Sequence, residues 1–358
     1  MKAFRLILFP FSILYGIGLF VRNLLFDIGV LPSKSFPIAV INVGNLAAGG
    51  TGKSPHTEYL MRLLGSSYKL STLSRGYGRK TSGFLEVKED STFFEVGDEP
   101  RMFKNNFKNI PVFVDTNRVR GIQKIRTIDS EIECVVLDDA YQHRYVTPGL
   151  NILLTEYSRL YTNDYLLPVG YLRESKSGAK RADIIIVTKC PTIFSPVDAR
   201  AIRKSLKTKP YQRVYFSYFK YGQLKPLYKK DAVAPDLNKK LNLVLATGIA
   251  KPASLLFSLK DRVNEIDHLK FPDHHIFTIT DVNKIAQAFK SMAGENKIIL
   301  TTEKDAMRFY VSGIEEVLGE LPIYYLPVEV EFHGKDKEEF DENIHTYVKR
   351  NITSNQLS

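Results

Sequence analysis

A chain of 358 residues is longer than one hydrophobic core usually organises, so two domains are expected. Hydrophobic residues make up 44% and charged residues 25%, a balance that excludes a disordered chain. The net charge of +11 suits an anionic partner (nucleic acid, an acidic lipid surface or a phosphorylated substrate) and does not choose among them. Cys134 and Cys190 lie in or beside apolar runs without CxxC spacing, which reads as two reduced thiols rather than a disulfide framework or a zinc site.

The chain opens on an uncharged run, Leu6 to Val21, with Lys2 and Arg5 before it and Arg22 after it. Gly18-Leu19-Phe20-Val21-Arg22 offers no small-residue cleavage site, which argues against a secretory signal. A spanning helix wants about 20 apolar residues. This run is slightly short, and Pro10, Gly16 and Gly18 are expected to interrupt it. Leu24 to Leu31 extends it, with Asp27 as its one charge. The pattern predicts a membrane-associated helix within residues 1–31, lying in one leaflet or crossing the bilayer, with a buried core helix as the alternative.

Ile38 to Val43 is a nearly continuous apolar run, the mark of a parallel strand buried on both faces. A Gly-rich loop and a helix follow; Pro55 suits a helix start, Leu60, Leu63 and Leu64 form one apolar face, and Gly65 is a candidate cap. Further buried-strand candidates are Lys69 to Leu73, Val112 to Val114, Cys134 to Leu137, Ile152 to Leu154 and Ile184 to Val187. Strands alternating with helical patterns predict an α/β fold with a doubly wound, mostly parallel sheet over residues 32–212. The aromatic stretch from Arg213 to Tyr228 breaks the rhythm and reads as a connecting β-ribbon, residues 213–235. A second, smaller α/β domain is expected over 236–328, followed by a charged helical tail, 329–358.

The strongest chemical signal is Ala47-Ala48-Gly49-Gly50-Thr51-Gly52-Lys53-Ser54. It matches the P-loop pattern GxxxxGK[ST] except at its first position. Small residues let successive backbone N–H groups face a phosphate. Lys53 places a cation against the β- and γ-phosphates, and Ser54 offers a hydroxyl to Mg²⁺. The preceding strand and following helix supply the setting the motif requires. Val135-Val136-Leu137-Asp138-Asp139 then reads as an apolar strand ending in paired carboxylates, suited to Mg²⁺ beside the phosphate loop. Thr188-Lys189-Cys190-Pro191 stands where a GTPase would carry Asn-Lys-x-Asp and keeps only the lysine, which argues for ATP or for loose base selection.

Beyond these two elements the sequence resembles the tetraacyldisaccharide 4′-kinases. The motifs that carry the resemblance run in order from Val43-Gly44-Asn45-Leu46 to Thr301-Thr302-Glu303-Lys304-Asp305-Ala306. Between them lie Ser74-Arg75-Gly76-Tyr77-Gly78-Arg79, Gly97-Asp98-Glu99-Pro100, Leu137-Asp138-Asp139-Ala140-Tyr141-Gln142-His143, Pro168-Val169-Gly170-Tyr171-Leu172-Arg173-Glu174 and Asp273-His274-His275. Ser175 departs from the pattern, where proline is expected. The resemblance implies transfer of the γ-phosphoryl of ATP to the 4′-hydroxyl of a tetraacylated glucosamine disaccharide 1-phosphate, a step of lipid A synthesis at the cytoplasmic face of a Gram-negative inner membrane. It implies a P-loop domain joined to a smaller α/β domain by a strand ribbon. It also implies Asp98 as the base, with His274 in support and His275 as the fallback.

Gln142 and His143 follow the aspartate pair closely enough to line the same cleft. Arg75, Arg79 and Arg173 are candidates for substrate phosphate or transition-state charge, because the guanidinium fork matches phosphate oxygens. Each of these is equally compatible with a solvated surface position. The expected partners are the lipid-linked disaccharide and the membrane surface, with no nucleic acid and no obligate protein partner. The competing reading is a P-loop regulatory or metal-chaperone NTPase, which calls for a Cys/His ligand set or a guanine motif. A nucleic-acid binder calls for clustered Lys/Arg among stacking aromatics, and only Arg213 to Tyr228 resembles that.

Overall fold

The computed structural model describes residues 7–229, 233–237, 241–311 and 313–356; Lys2, Arg5 and Leu6, expected around the start of the apolar helix, lie outside the described residues. The apolar runs become strands: β1 (Ala39–Asn45), β2 (Leu70–Ser74), β3 (Leu85–Glu86), β4 (Val112–Val114), β5 (Cys134–Asp138), β6 (Leu150–Glu156), β7 (Ile184–Thr188) and β8 (Arg213–Tyr221). They lie side by side in the order β8-β7-β6-β1-β5-β2-β4-β3, parallel except for the edge strand β3. Every residue of β1, β2, β5 and β7 is buried, which is why these strands read as unbroken apolar runs rather than alternating ones. β1 sits between β5 and β6 at the switch in strand order, where open α/β sheets form their binding crevice.

A second sheet holds β9 (Lys225–Pro226), β10 (Asn242–Thr247), β11 (Glu265–Lys270), β12 (Lys297–Thr302) and β13 (Ile323–Leu326), in the order β11-β10-β12-β13-β9. The chain then returns to the first sheet as β14 (Val328–Phe332), antiparallel to β8, which brings that sheet to nine strands. Two strand pairs therefore pass between the sheets, β8 to β9 and β13 to β14. Over Arg213–Phe216 the aromatic stretch pairs with β7 as a member of the main sheet, and over Ser217–Tyr221 it pairs with β14. The helix Lys53–Leu64 buries Tyr59, Leu60, Met61 and Leu64. The tail helix Asp336–Gln356 buries Phe340, Ile344 and Val348, a four-residue spacing that makes one face, and its Tyr347 hydroxyl bonds the Val40 backbone.

The N-terminal helix Phe9–Asp27 is continuous through Pro10, Gly16 and Gly18. Pro10 falls in the first turn, where its missing N–H breaks no helical bond. Gly16 lets the helix approach Leu166, whose side chain stands 3.0 Å from where a Cβ would be. Among the described residues this is the one helix long and apolar enough to cross a membrane, and 11% of its apolar window is buried. Its polar side is tied to the body: Ser12 Oγ donates to Leu166 O at 3.0 Å, Tyr15 to Arg173 O at 3.0 Å and Arg22 to Gln142 O at 2.9 Å. Phe11, Leu14 and Phe20 are exposed.

Where the two sheets meet, Asn106 donates to Glu58 Oε1 at 2.9 Å and to Glu303 Oε1 at 3.0 Å. Both carboxyls are buried. Burial first, then the neighbouring Glu303, push the Glu58 carboxyl up against the opposing pull of Asn106, Arg62 and Lys225; burial pushes Glu303 up as well. The folded protein thus retains a proton here that the unfolded chain releases. The stability this contributes is full at acid pH and is lost as the pH rises above the ordinary glutamate range. Glu58→Gln keeps an acceptor oxygen for Asn106 and removes the titration. In thermal unfolding, its loss of Tm between about pH 5 and about pH 9 should be smaller than the wild type's by about 3 °C. An unchanged loss would show that the pair does not share a proton.

Candidate active site

The loop between β1 and the helix Lys53–Leu64 is shaped by two left-handed glycines, Gly49 (φ 104°) and Gly52 (φ 91°). Gly52 is restricted twice over, since a Cβ there would stand 2.7 Å from the Phe219 ring. The loop is pinned from β7 by Thr188 Oγ1, which donates to Thr51 O at 2.8 Å, and by Lys189 Nζ, which donates to Gly50 O at 2.6 Å. Asn45 Nδ2 donates to Thr51 Oγ1 at 2.7 Å. Ala48 to Ser54 line a cleft of about 930 Å³. Ala47 lies behind it, buried, in a bridge with Leu172.

Carboxylates gather at the end of β5. Lys53 Nζ lies 3.6 Å from Asp139 Oδ2, and Arg173 Nη2 donates to Asp139 Oδ1 at 2.9 Å. Burial opposes the charge on Asp139, but Lys53 and Arg173 outweigh it and hold the carboxyl below the usual range. Asp138 is buried and accepts from Thr57 Oγ1 at 3.2 Å; burial, then Glu99 and Asp139, push its carboxyl up. Ser54 Oγ donates to Glu99 Oε1 at 2.9 Å. These oxygens crowd negative charge beside the phosphate loop, and a hard divalent cation with oxygen preference fits that donor set. Among the described residues no three His, Cys, Asp or Glu side chains form a closed metal cage. Mg²⁺ does not need one, because it keeps waters and takes phosphate oxygens.

Asp98 opens the helix Asp98–Asn106 of the first sheet's side, and His274 follows β11 of the second. Their side chains meet at 3.1 Å, Asp98 Oδ2 to His274 Nδ1. Arg308 also bonds Asp98 Oδ2, through Nη2 and through Nε at 3.2 Å. Lys304 Nζ lies 3.0 Å from Glu99 Oε1 and 3.3 Å from His274 Nε2. An ammonium only donates, so Nε2 accepts from Lys304; Nδ1 lies 3.1 Å from Asp98 Oδ2 against 3.5 Å from Arg308 Nη2, and the shorter contact, to a carboxylate that only accepts, is the one that takes the ring hydrogen. Burial works to raise the Asp98 carboxyl, but Lys304, the His274 bond and Arg308 together hold it well below the usual carboxylate range. His274 lines the cleft, and Asp98 lies behind it, 4% exposed.

Of the other expected residues, Arg75, Gln142, His143 and Arg173 line the cleft. Gln142 Nε2 donates to Asn45 O at 2.8 Å. His143 accepts from Arg118 N at 3.3 Å; burial, then Arg118, Arg22 and Arg75, lower its pKa to about 4, so the ring is neutral. Arg79 is not among the lining residues. Its guanidinium donates to Gly83 O at 2.6 Å and packs on Gly76. His275 bonds Asp281 at 2.9 Å, away from Asp98. The motifs already contained Glu99 and Lys304, but spacing gave neither a role. Arg118 and Arg308 carried no sequence signal.

The chain matches the family model described as "LpxK: Tetraacyldisaccharide-1-P 4'-kinase" over residues 4–349. It is 44% identical to the tetraacyldisaccharide 4′-kinase of Bacteroides thetaiotaomicron, over 98% of this chain and 95% of that protein. It is also 44% identical to the Flavobacterium johnsoniae protein of the same name, over 98% of this chain and 99% of that protein. The crystal structure of Aquifex aeolicus LpxK in complex with ATP superposes with a TM-score of 0.73 at 28% identity, covering 96% of this chain and 99% of that one. With a family model matched along almost its whole length and relatives of this identity, the chain belongs to the tetraacyldisaccharide 4′-kinase family.

Proposed function

We propose that the cleft passes the γ-phosphoryl group of ATP to the 4′-hydroxyl of a tetraacylated glucosamine disaccharide 1-phosphate, with the Asp98–His274 pair taking the hydroxyl proton. The enzyme is a tetraacyldisaccharide 4′-kinase and phosphorylates tetraacyldisaccharide 1-phosphate in lipid A biosynthesis. The observation that carries the site reading is the contact of Asp98 with His274 at 3.1 Å, beside a P-loop whose Lys53 faces Asp139. On this reading residues 32–212 hold the nucleotide, 236–328 deliver His274, 213–235 join the two by way of β8 and β9, and the tail, 329–358, returns to the first sheet through β14 and the helix Asp336–Gln356.

In the transfer the loop N–H groups and Lys53 hold the phosphates. Ser54, Glu99, Asp138 and Asp139 would hold Mg²⁺, which when bound supplies charge neutralisation for the phosphates. Asp98 keeps His274 in the Nδ1–H tautomer, so that Nε2 faces the cleft with a free lone pair once Lys304 turns away. Arg75 and Arg173 are placed to meet the anionic substrate. The helix Phe9–Asp27 attaches the protein to the cytoplasmic face of the inner membrane, supported by its exposed apolar face and by Tyr15 and Arg22, which line the cleft itself.

The transfer is tested with labelled ATP and the disaccharide 1-phosphate, separating products by thin-layer chromatography; a new bisphosphate is expected, and its absence would end the kinase assignment. Lys53→Ala should lower kcat on the order of 10²–10³-fold without unfolding the protein. Near-normal turnover in that variant would remove the P-loop from the mechanism. Asp98→Ala and His274→Ala should each lower kcat far more than they change KM for ATP. The double variant should be little worse than Asp98→Ala, because residues acting as a unit are non-additive; multiplicative losses would separate them. Deleting residues 1–31 should move the protein from anionic vesicles to the supernatant in a sedimentation assay. Retention on the vesicles would place the attachment elsewhere.

A further inference from the structure

Two cations reach Asp98 from the second sheet, and they are engaged differently. Arg308 is 2% exposed, and its guanidinium is taken by Asp98, Asp305 and the Gly248 carbonyl. Lys304 lines the cleft. Its ammonium lies 3.0 Å from Glu99 Oε1, 3.3 Å from His274 Nε2 and 4.0 Å from Asp98 Oδ2. Glu99 in turn accepts from Ser54 Oγ at 2.9 Å. One line of short contacts therefore runs from the P-loop serine, where the γ-phosphate end of a nucleotide is held, to the pair that takes the proton. The phosphoryl group has to pass between those two ends, and Lys304 Nζ stands between them. Lys53 flanks the opposite side, against Asp139.

We propose that Lys304 is a catalytic residue of the transfer, its ammonium contacting the γ-phosphoryl oxygens as the group passes to the acceptor. The proposal rests on the kinase reading above. In that step the O4′–H bond breaks and its proton passes to the Asp98–His274 pair. A bond forms between O4′ and the γ-phosphorus, and the bond to the β,γ-bridging oxygen breaks, its electron pair leaving on ADP. Charge spreads over the peripheral oxygens of a loose transition state, so a fixed cation there acts on the rate rather than on nucleotide binding.

Lysine suits the position. It is a point charge with three donors on a flexible stem, so it can exchange Glu99 and His274 for phosphoryl oxygens by side-chain rotation alone. The same rotation bares His274 Nε2 to the acceptor. Its mount is stiff, because Thr302 Oγ1 caps Asp305 N at 3.1 Å and Asp305 Oδ2 accepts from Gly248 N at 2.9 Å. A lysine ammonium with its ordinary pKa is a cation throughout the working range.

The test uses Lys304→Met and Lys304→Arg in the full chain, with the disaccharide 1-phosphate in detergent micelles. The methionine variant should lose kcat on the order of 10²–10³-fold while KM for ATP changes less than about threefold. The arginine variant should recover about tenfold of that loss. Affinity for ADP with aluminium fluoride and Mg²⁺, a mimic of the phosphoryl group in flight, should fall by a like factor in Lys304→Met, and affinity for a non-hydrolysable ATP analogue should not. Lys304→Gln repeats the measurements if the methionine variant unfolds. Wild-type kcat in the neutral variants would overturn the assignment. Equal losses of affinity for the ATP analogue and the fluoride complex would also overturn it, because a merely structural lysine gives that pattern. If the wild type makes no bisphosphate the kinase reading fails, and the two nucleotide titrations still decide Lys304.

Discussion

A buried carboxylate has to be paired, and Asp98 is paired from across the molecule. One oxygen accepts from the Glu99 backbone at 2.9 Å, and the other is shared by His274 and Arg308, both from the second sheet's side. Removing one partner of a buried pair costs about 3–5 kcal/mol, because the remaining charge stays desolvated. The two halves of the cleft are therefore held in register through this carboxylate. Asn106 between Glu58 and Glu303 ties them on one side, and Lys251 Nζ, 2.5 Å from Glu156 Oε2, ties them beside the P-loop. Well-packed apolar residues would hold two lobes together at least as well as buried ions. The charges line or back the cleft, and the register of the lobes follows from pairing them.

The parts that were legible in the sequence are the local ones. A phosphate loop needs consecutive small residues between a strand and a helix, so Gly49 to Ser54 announced themselves, and the strand ending in Asp138 and Asp139 lies next to β1 because parallel strands meet at the switch point. Arg79 sits in the same glycine-rich loop as Arg75, and nothing in spacing tells which of the two turns to the Gly83 carbonyl. Ala47 stands where the motif has its first glycine, and its backbone serves a bridge to Leu172. Lys304 and Arg308 meet their partners across more than 200 residues of chain. No periodicity reports such a contact. The aromatic stretch from Arg213 was legible as strand, but its place in the main sheet depends on β7 and β14, which are remote in sequence.

Backbone conformation is shaped around the same cleft. Asp139, Lys189 and His274 are non-glycine residues with φ of 46°, 56° and 57°. The left-handed region costs about 1–2 kcal/mol for such residues, so it persists only where the surroundings enforce it. Each of the three follows the C-terminal end of a parallel strand, β5, β7 or β11. Each turns the chain away at the sheet's edge and leaves a charged or imidazole side chain in the cleft. Asp139 takes Lys53, Lys189 pins the loop, and His274 reaches Asp98. Lys207, the fourth such residue, closes the helix Pro196–Leu206 away from the cleft, so the strain at the cleft lies in these three turns.

The substrate's acyl chains set the last constraint. Each methylene drawn from an apolar phase into water costs about 0.8 kcal/mol, so moving even one chain of a dozen carbons costs on the order of 10 kcal/mol. An enzyme acting on such a lipid has to bring its catalytic groups to the surface where the chains stay. On the proposed membrane attachment, the helix Phe9–Asp27 does this by geometry rather than by reach. Phe11, Leu14 and Phe20 face outward, while Tyr15, Leu19 and Arg22 of the same helix line the cleft. Arg22 and Tyr15 bond the backbone of Gln142 and Arg173, so wherever the helix is held the cleft is held with it. On that proposal the sugar enters the cleft while its acyl chains remain against the outer face of the helix that forms the cleft's rim.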